Sequence, residues 1–220
     1  MTRTVAKIVL DRWVRNGYHI GNVKGQEMAR PREFDEREAL LQAMQVFWSQ
    51  GFEATSLTDL LKATGLSKSS LYDTFGSKRE LFLAAFEVYR LERMRMLDGY
   101  LKSKPTAFAS IQAFFEMVVE HARLVDRPFG CMSCNEAVEF GPHDEEVQQL
   151  IARDFLGIED ALAHAIERGK ADGSIPRDKS ARKLARFLTV THQGLQIMAR
   201  SKADVGRLDD ALGVMLQALQ

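Results

Sequence analysis

Three glycines, Gly51, Gly65 and Gly76, interrupt a strongly helical pattern at short intervals and limit what the N-terminal part of this chain can form. Before the first of them, apolar residues recur at the helical spacing i, i+4, i+7 and i+8, which predicts an amphipathic helix over residues 34–50. These apolar residues are Leu40, Met44, Phe47 and Trp48. Between the glycines there is room for only two short helices, joined by a tight turn.

The two short helices carry their own start and stop signals. Thr55 or Ser56 is placed to cap the first of them, and Gly65 is placed to end it. Ser67 caps the second, which is predicted to reach about Tyr72. The inward-facing residues are Leu57, Leu60, Leu61, Leu66, Leu71 and Phe75. An amphipathic pair of this size is typical of a helix-turn-helix, whose second helix fits the DNA major groove.

The second short helix presents polar side chains that suit DNA. Lys68 can reach a phosphate or a guanine edge, and Tyr72 can reach a phosphate or a thymine methyl group. The same pattern also fits a helical hairpin inside a bundle. The net charge is zero, from 30 basic and 30 acidic residues, so global charge does not indicate a nucleic-acid partner. The pattern alone leaves both interpretations open.

Residues 1–27 differ from the rest because they show no clean helical period. The run that begins at Met28 reads like a natural protein start, so we expect residues 1–27 to be an upstream extension from start-codon choice. The alternative is a flexible basic arm that lies along phosphates or in a minor groove. The predicted domains are this extension, a DNA-binding domain over 28–80 and a second domain over 81–220.

The remainder of the chain also reads as helical, and no strand pattern competes. Ser77 and Glu80 are spaced as a capping box that opens a long helix to about Lys102. Further helices are predicted from Thr106, from about Ser133 to Phe140, from Asp144, over 178–201 and over 205–219. The sequence therefore predicts an all-α fold, with a three-helix N-terminal domain followed by a helical bundle.

Several function classes are disfavoured. The chain has no Gly-x-Gly-x-x-Gly, Gly-x-Ser-x-Gly, His-Glu-x-x-His or P-loop motif, so we expect no enzyme, no catalytic residue and no cofactor. No apolar run approaches the roughly 20 residues that span a bilayer. The two cysteines do not suggest a secreted disulfide framework. We expect a cytoplasmic protein without a membrane partner.

Residues 40–81 closely resemble the N-terminal domain of the TetR family of transcriptional regulators. The matching pieces are Ala43…Phe47…Gly51-Phe52…Ala54-Thr55-Ser56-Leu57 and Gly65-Leu66-Ser67…Leu71-Tyr72…Phe75…Ser77-Lys78…Leu81. The chain departs from the family at Asp73-Thr74, where members often carry Tyr-His. Asp73 can read a cytosine amino group or turn aside. The resemblance implies a homodimer that binds double-stranded operator DNA and releases it when a small molecule enters the C-terminal domain.

The resemblance also implies roles for individual positions. Thr55 and Ser56, at the start of the first short helix, would donate to a phosphate. Lys78 would hold a phosphate at a helix N-terminus, where anions are favoured. The implied reading head consists of Ser67, Lys68, Ser69, Ser70 and Tyr72. The serines among these residues have a second explanation as helix caps.

Residues 81–172 are rich in aromatic residues and methionine. Such residues mostly build a core, but a helical bundle of this composition can also enclose a cavity for an apolar ligand. The resemblance places that cavity among the fourth to seventh helices. The candidate ligand-binding residues are Phe86, Phe115, His121, Cys131, Cys134, Asn135, Phe155 and His164.

Residues 130–135, Gly-Cys-Met-Ser-Cys-Asn, resemble one TetR subgroup in which some members sense electrophiles or oxidants. A thiol near a helix N-terminus has its thiolate favoured, and thiols at i and i+3 can approach each other as a redox disulfide. The simpler interpretation is that Cys131 and Cys134 are small buried apolar residues. A zinc site would need two more ligands, and His143 is only a loose candidate, so no metal is expected.

The last two predicted helices carry apolar residues on two faces, which indicates a dimer interface. The predicted interface residues are Phe187, Thr191, Gly194, Leu212 and Leu216. Taken together, the sequence predicts a homodimeric repressor that is released from a palindromic operator by a small apolar or electrophilic effector. The alternative is a helical ligand-binding or scaffold protein whose helix-turn-helix no longer binds DNA.

Overall fold

The computed structural model describes residues 34–126 and 128–220, so the predicted extension over 1–27 lies outside the described residues. All regular secondary structure in these two ranges is helical, which confirms the all-α prediction. The α-helices are α1 (Glu36–Gln50), α2 (Leu57–Thr64), α3 (Lys68–Phe75), α4 (Lys78–Leu101), α5 (Ala107–Leu124), α6 (Met132–Phe140), α7 (Glu145–Asp172), α8 (Ala181–Arg200) and α9 (Val205–Gln217). A single turn of 3-10 helix, Gly141–His143, joins α6 to α7.

The helices begin where hydroxyl or carboxylate side chains can accept the free amides of a first turn. Ser56, Ser67 and Ser77 each accept the backbone N–H three residues ahead, at the starts of α2, α3 and α4. Thr106 and Asp144 cap α5 and α7 in the same way. The caps at Ser56, Ser67, Ser77 and Thr106 confirm the sequence prediction, because a cap depends only on residues within one turn. Of the predicted Ser77–Glu80 capping box, the structure shows the bond from the Glu80 amide to the Ser77 hydroxyl.

Some predicted bounds were wrong by one to three residues. The first helix begins at Glu36 rather than Phe34. The third continues to Phe75, where Gly76 ends it, instead of stopping at Tyr72. The helix predicted from residue 178 begins at Ala181, because the cap is Ser180, whose side chain accepts the amide of Lys183.

Two hydrophobic clusters form the core, and α4 passes through both of them. The first cluster joins α1–α3 to the N-terminal half of α4 and also includes Met132, Val147 and Ile151 from α6 and α7. The second joins the C-terminal half of α4 to α5, α7, α8 and α9. The short helices therefore do not have a core of their own, because apolar residues from α6 and α7 complete it.

No helix within the described ranges combines the length and the apolar character that a bilayer crossing needs.

Candidate nucleic-acid interface and buried thiol cluster

The pair α2 and α3 has the geometry of a helix-turn-helix. Gly65 ends α2 with a left-handed backbone (φ +70°), and its N–H donates to the carbonyl oxygen of Leu61. Leu60 and Leu71 are fully buried, so each helix turns one face into the first hydrophobic cluster. The turn residue Leu66 packs against that cluster. The opposite face of α3 is left to solvent.

The exposed face of α3 carries Lys68, Ser69 and Tyr72, with Tyr72 37% exposed. Ser67 holds the start of this helix, because its hydroxyl accepts the amide of Ser70 at 3.1 Å. The Ser67 hydroxyl also lies 3.0 Å from that of Ser69 and 2.8 Å from that of Ser70. The three serines thus form one hydroxyl cluster, while Lys68 and Tyr72 project from the same face.

Lys78 lies at the N-terminus of α4, beside this face. Its ammonium group sits 4.4 Å from the centre of the Phe52 ring, a cation–π contact that places the charge next to the turn between α1 and α2. Ser77 accepts the amide of Glu80, and the remaining N–H groups of the first turn of α4 favour an anion at the same place. Lys78 is therefore well placed for a phosphate.

Thr55 and Ser56 lie differently from what their implied role requires. Thr55 is only 1% exposed, and its hydroxyl donates to the carbonyl oxygen of Gly51 at 2.6 Å, so its side chain is committed inside the fold. Ser56 is exposed, but it forms a complete capping box with Asp59. The hydrogen bonds from Ser56 lower the pKa of Asp59, so a carboxylate already occupies the N-terminus of α2. The buried Thr55 side chain therefore does not face a phosphate, whereas the contact predicted for the exposed Ser56 stays a prediction.

A buried polar cluster, which we call the thiol cluster, joins α4, α6, α7 and α8. Tyr89 and Arg93 lie one turn apart on α4 and both contact the sulfur of Cys131, at the start of α6. Arg93 also pairs with the fully buried carboxylate of Asp154 on α7, and Ser133 donates to the same carboxylate at 2.6 Å. Other bonds of the cluster run from the Met132 amide to the Tyr89 hydroxyl (3.1 Å) and from the Cys134 thiol to Gln193 (2.9 Å).

The surroundings of the two thiols push their pKa values apart. Burial alone would raise the pKa of Cys131, but hydrogen bonding from Cys134 and the charge of Arg93 lower it well below its ordinary value. The pKa of Cys134 is raised, mainly by its hydrogen bond to Cys131 and then by burial. Ionisation is therefore favoured at Cys131, and Cys134 beside it stays neutral, with its S–H directed at Gln193.

Two sequence comparisons match this architecture. The family model of bacterial regulatory proteins, tetR family, matches residues 34–85. The model of a tetracyclin repressor-like C-terminal domain matches residues 107–215. An uncharacterised HTH-type transcriptional regulator of Bacillus subtilis, YezE, is 35% identical over 193 residues, which are 87% of this chain and 100% of YezE.

This chain belongs to the TetR family.

Further relatives agree with this assignment. The HTH-type transcriptional repressor ComR of Escherichia coli is 30% identical over 86% of this chain and 90% of its own length. Among solved structures, a cysteine mutant of the TetR family regulator CifR, in complex with 26-base-pair operator DNA, superposes with a TM-score of 0.76. It is 30% identical, over 87% of this chain and all of the CifR chain. The TetR-family chain described here is therefore a helix-turn-helix transcriptional regulator, and the scaffold alternative is not favoured.

The candidate ligand-binding residues lie in several different places in the described ranges, and their role in ligand binding stays a prediction. Phe86 and Phe115 are fully buried, but they belong to the two different hydrophobic clusters. His164 is exposed on α7, so its predicted place in an internal cavity was wrong. Asn135 donates its side-chain amide to the carbonyl oxygen of Phe129 at 3.0 Å. These residues act in packing or in local hydrogen bonding, or face solvent.

Two of the eight candidates belong to the buried thiol cluster, and a third lies where the two hydrophobic clusters meet. Cys131 and Cys134 are both in the thiol cluster, and Phe155 packs against both hydrophobic clusters. His121 is half-buried, and burial lowers its pKa.

A separate open groove of about 640 Å³ lies between α4, α5 and α9, with Tyr100 and Met117 in its wall. It includes none of the eight candidate ligand-binding residues. In the described ranges, no group of three or more His, Cys, Asp or Glu side chains could hold a metal ion.

The outer face of α8 carries an exposed apolar stripe. Phe187 is 43% exposed, Val190 72% and Ile197 51%. Gly194 lies on the same stripe, and a side chain built there would meet no atom within 4 Å, so another helix backbone can approach closely. Leu212 was predicted for the interface, but it is buried within this subunit, where it belongs to the second hydrophobic cluster. Leu216 also packs against that cluster.

Proposed function

We propose that this TetR-family regulator is a homodimeric repressor that binds a palindromic operator and leaves it when a small apolar or electrophilic effector acts on the C-terminal bundle. Residues 28–80 carry DNA binding, and residues 81–220 carry effector binding and dimerisation. The protein has no enzymatic activity and works in the cytoplasm, where its DNA lies. The observation that carries the proposal is the solvent-facing surface of α3, with Lys68 and Tyr72 exposed and Lys78 beside them.

The proposed DNA contacts are of two kinds: contacts from α3 to the bases, and a contact from Lys78 to the DNA phosphate backbone. Lys68, Ser69 and Tyr72 stand on the exposed face of α3, the face that a major groove would receive. Ser67 and Ser70 shape the start of the same helix. Lys78 lies outside α3 and contacts the DNA backbone, which positions the protein without reading sequence.

Alanine variants of three residues test this division. Lys78→Ala should weaken binding to all sequences alike and lower the slope of log affinity against log salt by about one, because one phosphate contact is lost. Lys68→Ala or Tyr72→Ala should cost about 1–3 kcal/mol on the operator and much less on unrelated DNA. The measurement is gel retardation of the gene's own upstream DNA at several salt concentrations.

Lys102→Ala is the matched control. Lys102 caps the far end of α4 and is exposed there, so the substitution removes the same charge away from α3. It should leave both affinity and salt slope unchanged. Unchanged retardation by all three test variants would refute the assignment of α3 and Lys78 to DNA.

The thiol cluster supports the electrophilic form of the effector. Cys131 is stabilised as a thiolate, and its two α4 partners, Tyr89 and Arg93, lie on the helix that begins at Lys78. Adding a group to the Cys131 sulfur enlarges a fully packed site and removes the charge that faces Arg93. The packed α4 must then shift, which moves each α3 relative to its half-site. By reciprocity, operator DNA must slow or weaken the reaction that releases it.

Thiol alkylation tests this route. N-Ethylmaleimide forms an S–C bond with the Cys131 thiolate, and the neighbouring maleimide carbon takes a proton from water. The wild-type protein and Cys134→Ser should lose at least about tenfold in operator affinity after alkylation, whereas Cys131→Ser should keep its affinity. Because the pKa of Cys131 is lowered, raising the pH above 7 should not accelerate the reaction further, and the rate should depend on how often this 2% exposed sulfur becomes accessible. Equal release of wild type and Cys131→Ser would rule out Cys131 as the sensor. Equal release of wild type and the Cys131→Ser, Cys134→Ser double variant would show that both thiols are structural.

A further inference from the structure

A carboxylate on α6 reaches into the DNA-binding part of the chain. Glu139 lies in the last turn of α6, and its two oxygens accept the backbone N–H groups of Phe52 (2.9 Å) and Glu53 (2.5 Å). Both amides belong to the turn between α1 and α2. Hydrogen bonds to an ionised acceptor are roughly twice as strong as neutral ones, and a bidentate arrangement also fixes direction. The turn is thereby held by a helix of the C-terminal bundle.

Gly51 makes this contact possible. Its backbone is left-handed (φ +87°), and a Cβ atom added there would lie 2.5 Å from a Glu139 oxygen. Glycine is therefore required both for the conformation and for the close approach of the carboxylate. Thr55 donates its hydroxyl to the Gly51 carbonyl oxygen at 2.6 Å, and α2 begins two residues later. The position of α2, and of α3 behind it, follows from the turn that Glu139 holds.

The other end of α6 contacts the same part of the chain. The indole N–H of Trp48, in the last turn of α1, donates to the carbonyl oxygen of Gly130 at 3.1 Å. Gly130 is the neighbour of Cys131 in the thiol cluster. The segment from Gly130 to Glu139 therefore makes hydrogen bonds at both of its ends: Gly130 accepts from the end of α1, and Glu139 accepts from the turn after it.

We propose that Glu139 is a positioning residue for operator binding: it holds the turn between α1 and α2, and through it α3, in the orientation that fits a half-site. The proposal rests on operator binding as proposed above. Without Glu139 the short helices sample more orientations, and only a fraction of these matches DNA. Apparent affinity falls by that fraction.

The test compares Glu139→Ala and Glu139→Gln with Glu53→Gln. Glu139→Ala removes both acceptors and should raise the operator Kd by about tenfold, the equivalent of one charge-assisted hydrogen bond. Glu139→Gln keeps one neutral acceptor and should have a smaller effect in the same direction. Neither should change the salt slope, because Glu139 contacts no phosphate. Glu139→Asp, which keeps the charge but shortens the reach, should resemble Glu139→Gln.

Glu53→Gln separates positioning from charge. Glu53 is exposed in the same turn, so this variant removes the same negative charge near the DNA. If Glu139 acted only through its charge, both Gln variants would bind operator more tightly. If operator binding becomes tighter in Glu53→Gln but weaker in Glu139→Gln, the result supports a positioning role for Glu139. Equal or tighter binding by Glu139→Ala would overturn the proposal.

Two control measurements distinguish a failure of the proposed function from a failure of the Glu139 proposal. Wild-type protein must first retard operator DNA, since failure there refutes the proposed function and not the role of Glu139. The Glu139 variants must also remain folded at the assay temperature by thermal unfolding. This is expected because Phe52 keeps its ring contacts with Phe82 (5.1 Å) and Phe140 (5.3 Å). A folded Glu139→Ala protein with wild-type operator affinity refutes the positioning role alone.

Discussion

The Phe187→Glu variant is expected to sediment as a monomer at micromolar concentration and to lose operator affinity by about 1,000-fold or more. Phe187 is the first residue of the exposed apolar stripe of α8, which continues through Val190, Gly194, Ile197 and Met198, at the spacing i, i+3, i+7, i+10 and i+11. In a two-fold interface each subunit contributes the same residue, so one substitution places two carboxylates between the helices. Burying an unpaired ion costs several kcal/mol, and about 1.4 kcal/mol corresponds to tenfold.

Operator affinity falls together with the dimer because a palindrome is read by two α3 helices at once. The matched control is Leu91→Glu, which introduces the same charge at a residue that is 48% exposed on α4, compared with 43% for Phe187. Leu91→Glu should remain a dimer and bind operator. A dimeric Phe187→Glu protein, or a wild-type monomer that still binds operator, would contradict the α8 interface.

The local features of the fold were predictable because short-range rules decide them. The caps at Ser56, Ser67 and Ser77 satisfy amides within one turn, and Gly65 supplies a left-handed backbone that few other residues adopt. The exposed face of α3 follows from the same periodicity that buries Leu71. The exposed face of α3 could therefore be placed before any tertiary contact was known, whereas its role in reading DNA came from the family resemblance and stays a prediction.

The polar contacts between distant helices could not be predicted in the same way. Arg93 pairs with Asp154 across 61 residues of sequence, and Glu139 pairs with Phe52 across 87 residues. No periodicity connects the two members of either pair. A signal was nevertheless present for the first pair. Asp154 stands on the apolar stripe of α7, three residues after Ile151, and Arg93 follows Tyr89 by one turn on the buried face of α4. A charge on a buried stripe needs a partner.

Aromatic content alone could not distinguish a packed core from a ligand cavity. Phe86 and Phe115 satisfy the composition expected of a ligand cavity, but both are packed completely, Phe86 against Tyr89 and Phe115 against Phe114. The same side chains build a core or line a cavity, and only the tertiary arrangement decides between the two. Cys131 was distinguished by its motif, whereas its partners Tyr89 and Arg93 were not.

Asp154→Ala should be the most destabilising of the substitutions considered for this chain. The carboxylate is fully buried, pairs with Arg93 and accepts the Ser133 hydroxyl, and the Arg90 guanidinium lies 3.9 Å away. Its removal leaves a buried guanidinium without its carboxylate partner and a buried hydroxyl without an acceptor. Breaking a buried ion pair from one side costs about 3–5 kcal/mol. In a chain of this size that lowers the unfolding midpoint by roughly 6–20 °C.

Asp160→Ala is the control on the same helix. Asp160 pairs with Arg182 at the surface, where both side chains are 45% exposed, and such pairs contribute about 0–1 kcal/mol. Thermal unfolding should thus separate the two aspartates clearly. A double variant, Arg93→Met with Asp154→Leu, removes both charges together and should recover part of the loss, because neither ion of the pair is left without the other. Cys131 then loses the charge of Arg93, and its pKa should rise. If Asp154→Ala proves no more costly than Asp160→Ala, the stability of the fold does not depend on this ion pair, and the contact of Arg93 with the Cys131 sulfur is enough to hold the guanidinium in the thiol cluster.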